Sequence, residues 1–184
     1  MKRVVGCGVV GLALVAVFFG SLGWAVFTYG RLARAEREVD RAWTEIEVLC
    51  RERVEIVPRL VESLDGTNAV DSALLDRLRK ARERSFEILP TPDLVTDGAR
   101  FARFHSLQRG LASAVDEVLA AAPSASPVGD AATRLEAIAV ELEAASAAFD
   151  EASHAYNELL ARPPSSWIAR IGEFREAAAF GEGR

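Results

Sequence analysis

Residues 134–160 read RLEAIAVELEAASAAFDEASHAYNELL, and this stretch decides the fold. Leu135, Ile138, Leu142, Ala145, Phe149, Ala152, Tyr156 and Leu159 recur at steps of three and four, which stacks their side chains on one face of an α-helix. Glu136, Glu141, Glu143, Asp150, Glu151 and Glu158 fall on the other faces. Such a heptad-like seam is stable only against partner helices. The rest of the chain supplies them. Val39, Ala42, Ile46, Leu49, Ile56 and Leu60 form one seam upstream, and Trp43, Cys50, Val54, Val57, Val61 and Leu64 form a second beside it. A helix with two adjoining seams contacts two neighbours, as in a bundle. Phe101, Phe104, Gln108, Leu111, Val115 and Val118 make a third segment, and Leu74, Leu78, Ala81, Ser85 and Ile88 a fourth.

Punctuation sets the boundaries. Six of the seven prolines fall in three places: Pro90 and Pro92, Pro123 and Pro127, Pro163 and Pro164. Helix 1 is expected to run to Leu64 and to stop at Asp65-Gly66. Helix 2 starts at Asn68, with Asp71 three residues on as in a capping box, and reaches Leu89. Thr91-Pro92 and Ser126-Pro127 each place a hydroxyl at the N-cap and Pro at the first helical position, beginning helices 3 and 4. These end near Ala122 and Arg162. Short loops between long helices favour up-and-down, antiparallel packing, so the fold class is all-α. Helix 2 is shorter than helix 1, so one end of the bundle is expected to hold fewer helices.

Ahead of the seams lies a different kind of sequence. Val4 to Tyr29 is 26 consecutive residues without a charge. As a helix it is roughly 39 Å long at about 1.5 Å per residue, against a hydrocarbon core of about 30 Å. A helix satisfies its own backbone in lipid, and Trp24 and Tyr29 stand where aromatic rings favour the headgroups. The expectation is a transmembrane helix that runs on into helix 1. A cleavable signal peptide would carry a shorter apolar stretch of about 7–15 residues and a small-x-small site. Val4-Val5-Gly6-Cys7 resembles a lipoprotein cleavage box, but here the apolar run follows the cysteine. An uncleaved anchor fits better. The expected organisation is an anchor over residues 1–30, a bundle over 31–164, and a short amphipathic helix and tail over 165–184.

Beyond residue 30 the chain carries all 27 of its Asp and Glu and 20 of its 22 Lys and Arg, a net charge of −7. Nucleic-acid binding calls for a basic excess, so no nucleic-acid partner is expected. Two Cys and two His are few for a metal site. There is no Gly-rich phosphate loop, Gly-x-Ser-x-Gly or His-Glu-x-x-His. No cofactor, metal or catalytic residue is expected, and the chain does not read as an enzyme. His105 and His154 sit in no catalytic or ligand spacing. Glu45, Glu47, Glu52 and Glu55 read as a solvated face or as partners of Arg51 and Arg59.

Tyr29-Gly-Arg-Leu32, Val39-Asp-Arg-Ala42-Trp43-Thr-Glu-Ile46-Glu-Val48 and Arg53-Val-Glu-Ile-Val-Pro58-Arg-Leu60-Val61-Glu62 together resemble the opening signature of the LemA family. Tyr156-Asn157-Glu-Leu-Leu, Pro164-Ser-Ser-Trp-Ile-Ala169, Gly172-Glu-Phe174 and Phe180 are similar to its closing signature. Gly30 and Arg59 stand where the family usually has Asn, and Phe149-Asp150 stands where it has a first Tyr-Asn pair. The resemblance implies a bacterial envelope protein with an N-terminal anchor and a long antiparallel bundle. It implies a scaffold or signalling role, and the lipoprotein-like members imply a bundle outside the cytoplasm. No reaction comes with it.

Seven residues stand out as structural or interaction candidates: Trp43, Pro58, Tyr156, Asn157, Trp167, Ile171 and Phe174. Trp43 reads as a buried anchor or as an exposed docking residue. Pro58 removes the hydrogen bond to the Val54 carbonyl, at a cost of about 3 kcal/mol. That leaves either curvature around the partners or a groove where a partner's polar group meets the freed carbonyl. Tyr156 and Asn157 are expected to tie the end of helix 4 to the start of helix 1. Past Pro164, Ser165 can cap a short helix that Gly172 ends, with Trp167, Ile168, Ile171 and Phe174 on one face. That face either enters the membrane interface or closes the base of the bundle. The expected function is a membrane-tethered scaffold or adaptor, single-pass, that meets other envelope proteins. The rival is a sensor or carrier that binds a small molecule or lipid among the helices, betrayed by a cavity with converging polar groups. Lys2 and Arg3 before the apolar run favour an extracytoplasmic bundle, while Arg31, Arg34, Arg37 and Arg41 oppose it.

Overall fold

The computed structural model of the chain describes residues 2–65, 70–122 and 129–183. Among them every regular element is helical: α1 (Lys2–Leu64), α2 (Ser72–Ser85), α3 (Gly98–Ala121), α4 (Gly129–Ala161) and α5 (Ser165–Ile171), with 3-10 turns at Pro92–Thr96 and Phe180–Gly183. Side-chain contacts show how the helices run. Glu52 meets Arg134 and Trp43 meets Phe149 across α1 and α4, and Arg77 of α2 meets Glu117 of α3 while Glu87, just past α2, meets Arg103. Rising numbers on one side face falling numbers on the other, so each pair is antiparallel. Trp43 faces Phe101 and Phe104, and Arg53 faces Gln108, so α1 and α3 run parallel across the bundle.

α1 is a single 63-residue helix, about 95 Å long by its rise. It is long and apolar enough to cross a membrane. Its first part carries exposed Val17, Phe18, Phe19, Leu22, Val26 and Phe27; then Thr28 and Leu32 are buried, and both expected seams follow into the core. The bundle therefore takes hold of the helix at Thr28. From Val39 to Leu64 a residue at least every four positions is buried, because α4 packs along this length while α2 and the aromatic rings of α3 cover the rest.

Three boundaries differ from expectation. α2 opens with Asp71 as the cap itself, its carboxylate accepting the Ala73 N–H at 2.9 Å; Asn68 lies outside the described residues, as does the Ser126-Pro127 start of α4. α2 also ends at Ser85 rather than Leu89. The Ser85 hydroxyl donates to the Arg82 carbonyl at 2.6 Å, and the Phe86 and Glu87 N–H groups bond back to Glu83 and Arg84. These tighter three-residue closures end the α-helical ladder.

Thr91-Pro92, in turn, starts the 3-10 turn and not α3. The Thr91 side chain makes no cap bond, and Asp97 caps α3 through Arg100 N–H at 3.1 Å. The turn buries Leu94 and Val95, which a helix continuing from Pro92 would have to place differently. Because α2 stops early, the end of the bundle nearest Thr28 is covered by this turn and by residues 174–183. The Ala178 N–H donates to the Val95 carbonyl at 2.8 Å and pins the two together.

A fragment starting at Thr28 is expected to be soluble and helical by circular dichroism and to unfold in one cooperative transition. A fragment starting at Val39, which lacks the turns that α5 covers, should melt at a lower temperature. Equal melting of the two would mean that residues 28–38 are no part of the core.

Candidate functional site

Trp43 is 1% exposed and is the hub of the core. Its ring lies 5.7 Å from Phe101, 5.6 Å from Phe104 and 5.5 Å from Phe149. Phe180 of the tail packs 4.8 Å from Phe101 and completes the cluster. The indole N–H, which must find a partner when buried, donates to the Thr91 carbonyl at 3.1 Å. Trp43 is thus the anchor and not an exposed docking residue.

Pro58 lies inside α1 without ending it. The carbonyl it frees, that of Val54, accepts from Arg82 Nε of α2 at 2.9 Å. A groove of about 300 Å³ does lie there, lined by Val57, Pro58, Val61 and Arg82. The polar group that meets the freed carbonyl, however, is the protein's own guanidinium. A helix break that would orphan an acceptor has become a tie between α1 and α2.

A second guanidinium is more deeply placed. Arg53 is 7% exposed. Its Nη2 donates to the Gln108 side-chain oxygen and, at 3.4 Å, to the Gln108 carbonyl. Its Nε has no partner, and it forms no carboxylate ion pair among the described residues. Burial holds its pKa below the usual Arg range, and the charge of Asp116 offsets this only in part. The same environment pushes the Cys50 thiol up to about 11, chiefly by burial, so Cys50 is a protonated, apolar filler. α3 and α4 meet at Phe101 and Phe149 and leave a groove of about 350 Å³ further along, floored by Ile46, Cys50 and Arg53 of α1. At its edge His105 stands edge-on to Phe180 at 5.0 Å. Burial, then the charge of Arg109, hold its pKa down, so the imidazole is neutral near pH 7. His154 is exposed, and no group of three or more potential metal ligands occurs among the described residues.

At the other end of α4, Tyr156 is buried but its hydroxyl has no hydrogen-bond partner. Burial first, then the carboxylates of Glu36 and Asp40, push its pKa well above the ordinary phenol range. Tyr156 thus feels the carboxylates in the middle of α1, near where that helix joins the bundle. Asn157 bonds elsewhere. Its amide donates to the Ala177 carbonyl at 2.7 Å and accepts the Ala177 N–H at 2.9 Å, so it clamps the tail. Two turns earlier, Asp150 accepts the Phe180 and Gly181 N–H groups at 2.7 and 3.1 Å. Residues 150 and 157 share one stripe of α4, and together they strap the tail along it.

The sequence profile of the LemA family matches residues 42–182. The chain belongs to the LemA family. No curated protein matches it. The family match spans both the Trp43 hub and the clamped tail, the two ends that this LemA-family bundle brings together.

α5 then divides the face expected of it. Its cap position is Pro164, with no side-chain bond from Ser165, and Gly172 ends it. Ala169 is buried, Ile168 is half-buried against the core, and Phe174 packs 5.3 Å from Tyr29. A Cβ on Gly172 would come within 2.6 Å of Phe174 and 3.2 Å of Tyr29, so only glycine fits. Trp167 and Ile171, one turn apart, stay 63% and 81% exposed. Half the face closes the base, and half is bare beside the point where the apolar part of α1 ends.

The carboxylates of α1 also resolve. Glu47 pairs with Arg51 as expected, while Glu52 forms a two-point pair with Arg134 of α4 at 2.6 and 2.7 Å, not with Arg51 or Arg59. Arg53, Arg82 and Asp150 were missed as site residues. Arg53 had a signal, since it sits three past Cys50 and four before Val57 and so on a buried stripe. Arg82 and Asp150 had none, because their partners are remote backbone groups.

If Arg82 serves Val54, Arg82→Met should cost about 1–3 kcal/mol in urea unfolding, the penalty for an orphaned buried acceptor. In a Pro58→Ala background, where a helical N–H returns to Val54, the same change should cost measurably less; a double-mutant cycle with no coupling would refute the tie. Asn157→Ala should cost a similar about 1–3 kcal/mol and let trypsin cut at Arg175 in the otherwise folded protein. Asn157→Asp, which keeps the acceptor and loses the donor, should fall between. Unchanged protection in Asn157→Ala would show that the tail is held by packing alone.

Proposed function

We propose that this LemA-family chain is a non-enzymatic, membrane-tethered scaffold or adaptor of the bacterial envelope, a single-pass protein whose bundle lies outside the cytoplasm. The observation that carries the proposal is the continuity of α1. One helix bears bare apolar side chains up to Phe27 and from Thr28 onward is the central strut of the bundle. An anchor so joined has no flexible linker, which would hold the bundle at a set height and angle over lipid. Lys2 and Arg3 at its start suit the cytoplasmic flank. Trp167 and Ile171 stand beside Tyr29, at the level where a tryptophan and an aliphatic side chain would enter the headgroup layer and steady the bundle. Further out, Phe86 and Leu89 are exposed around the end of α2 and offer apolar contact to a neighbouring protein.

The groove over Arg53 favours a second reading, in which the bundle also carries a small ligand.

Site-specific photo-crosslinking in native membranes tests the scaffold. A crosslinking residue at position 86 or 89 should give discrete protein adducts, and one at 171 should give lipid adducts. If positions 86 and 89 give no protein adduct in membranes where 171 labels lipid, the scaffold proposal fails.

A further inference from the structure

A buried guanidinium is stable only when it is paired or fully hydrogen-bonded. Arg53 is neither: one nitrogen is shared with Gln108, Nε is unpartnered, and no carboxylate of the described residues pairs with it. Most arginines of this bundle that pair at all do so with carboxylates at the surface, as Arg134 does with Glu52 and Glu141. Arg53 instead underlies the open groove between α3 and α4. Phe104, Leu142 and Phe180 give the walls their apolar surface, His105 and Ser146 add neutral polar groups, and the charge of Arg109 balances that of Glu143. Within the groove lining the charge balance is therefore one positive charge, which Asp116 outside the groove offsets only in part. At about 350 Å³ the slot is at the small end of ligand sites, which run from about 300 to 1,000 Å³.

We propose that this groove is a binding site for a small amphipathic monocarboxylate, an acid whose short acyl or aryl body lies between α3 and α4 and whose carboxylate pairs with Arg53. The inference rests on the ligand-carrying reading and is independent of the scaffold role. Gln108 acts as the stand-in. Its side-chain oxygen occupies one position of the guanidinium fork, and the incoming carboxylate displaces it to take Nη2 and Nε together, the two-point geometry that Arg offers to planar anions. The free Gln108 amide can then donate to the ligand. Arg82 and the other grooves do not share this logic, because Arg82 already has the Val54 carbonyl.

The full chain in phosphatidylcholine nanodiscs, with empty discs as the partition control, can be titrated with 4-phenylbutyrate and with its neutral amide, by calorimetry and thermal unfolding. The acid should bind saturably and the amide about tenfold or more weaker, as expected when a charge-assisted pair is lost. Arg53→Met should remove the preference for the acid. Gln108→Glu places a carboxylate on Arg53 permanently, so it should abolish binding while raising the unfolding temperature. This variant stays informative if Arg53→Met fails to fold. Equal binding of acid and amide, or acid binding retained in Gln108→Glu, overturns the carboxylate proposal and leaves a ligand-carrying bundle standing. No binding of either probe overturns both.

Discussion

Trp43 has to hide its indole ring and still satisfy one N–H, and the bundle is arranged around those two demands. The ring is closed in by phenylalanines from α3 and α4. Its N–H reaches the Thr91 carbonyl, in the connection that would otherwise be a loose loop between α2 and α3. That bond helps to explain why Pro92–Thr96 folds as a buried turn and does not continue as helix. Truncating so large a buried side chain costs about 3–5 kcal/mol, a large share of the about 5–15 kcal/mol by which a domain is stable.

From this hub the structure extends in both directions by the same physical means, a side chain that meets a backbone group which helix geometry or chain irregularity leaves unpaired. Arg82 meets the carbonyl that Pro58 frees, Asn157 meets both backbone groups of Ala177, and Asp150 meets two N–H groups of the last turn. The irregular tail is therefore held to the core through its own backbone groups at Ala177, Phe180 and Gly181. It returns Phe180 to the aromatic cluster and, through Gly172 and Phe174, sets α5 against Tyr29. The end of the chain and the end of the lone helical segment are thereby parts of one base.

Arg53 stands apart from these satisfied ties. Among the buried side-chain atoms of the described residues left without a partner, its Nε is the one that belongs to a charged group. Thr91, Ser153 and Tyr156 each also retain a buried hydroxyl without a partner, but a neutral hydroxyl costs far less than a charge in the same place. The charge is what gives Arg53 a functional reading.

The helices themselves were legible in the sequence, because period and punctuation are local properties. The seam of α3 and most of the double seam of α1 are buried where they were expected, and the seam from Leu135 to Leu159 faces the core with Leu142, Ala152 and Leu159 half-buried. The apolar run before Thr28 and the LemA-like ends were equally plain, as was Pro58's missing N–H. Tertiary structure alone decided the partners: that Arg82 would take the Val54 carbonyl, that Asn157 would hold Ala177 and not helix 1, that Glu52 would reach Arg134, and that α3 would wait for Asp97. It also split the α5 stripe, covering Ile168 and Phe174 and leaving Trp167 and Ile171 bare. The physical reason is the same in each case. Periodicity says which side of a helix avoids water, but a hydrogen bond between residues 28 or 82 positions apart depends on where packing sets two backbones, and no local pattern carries that distance.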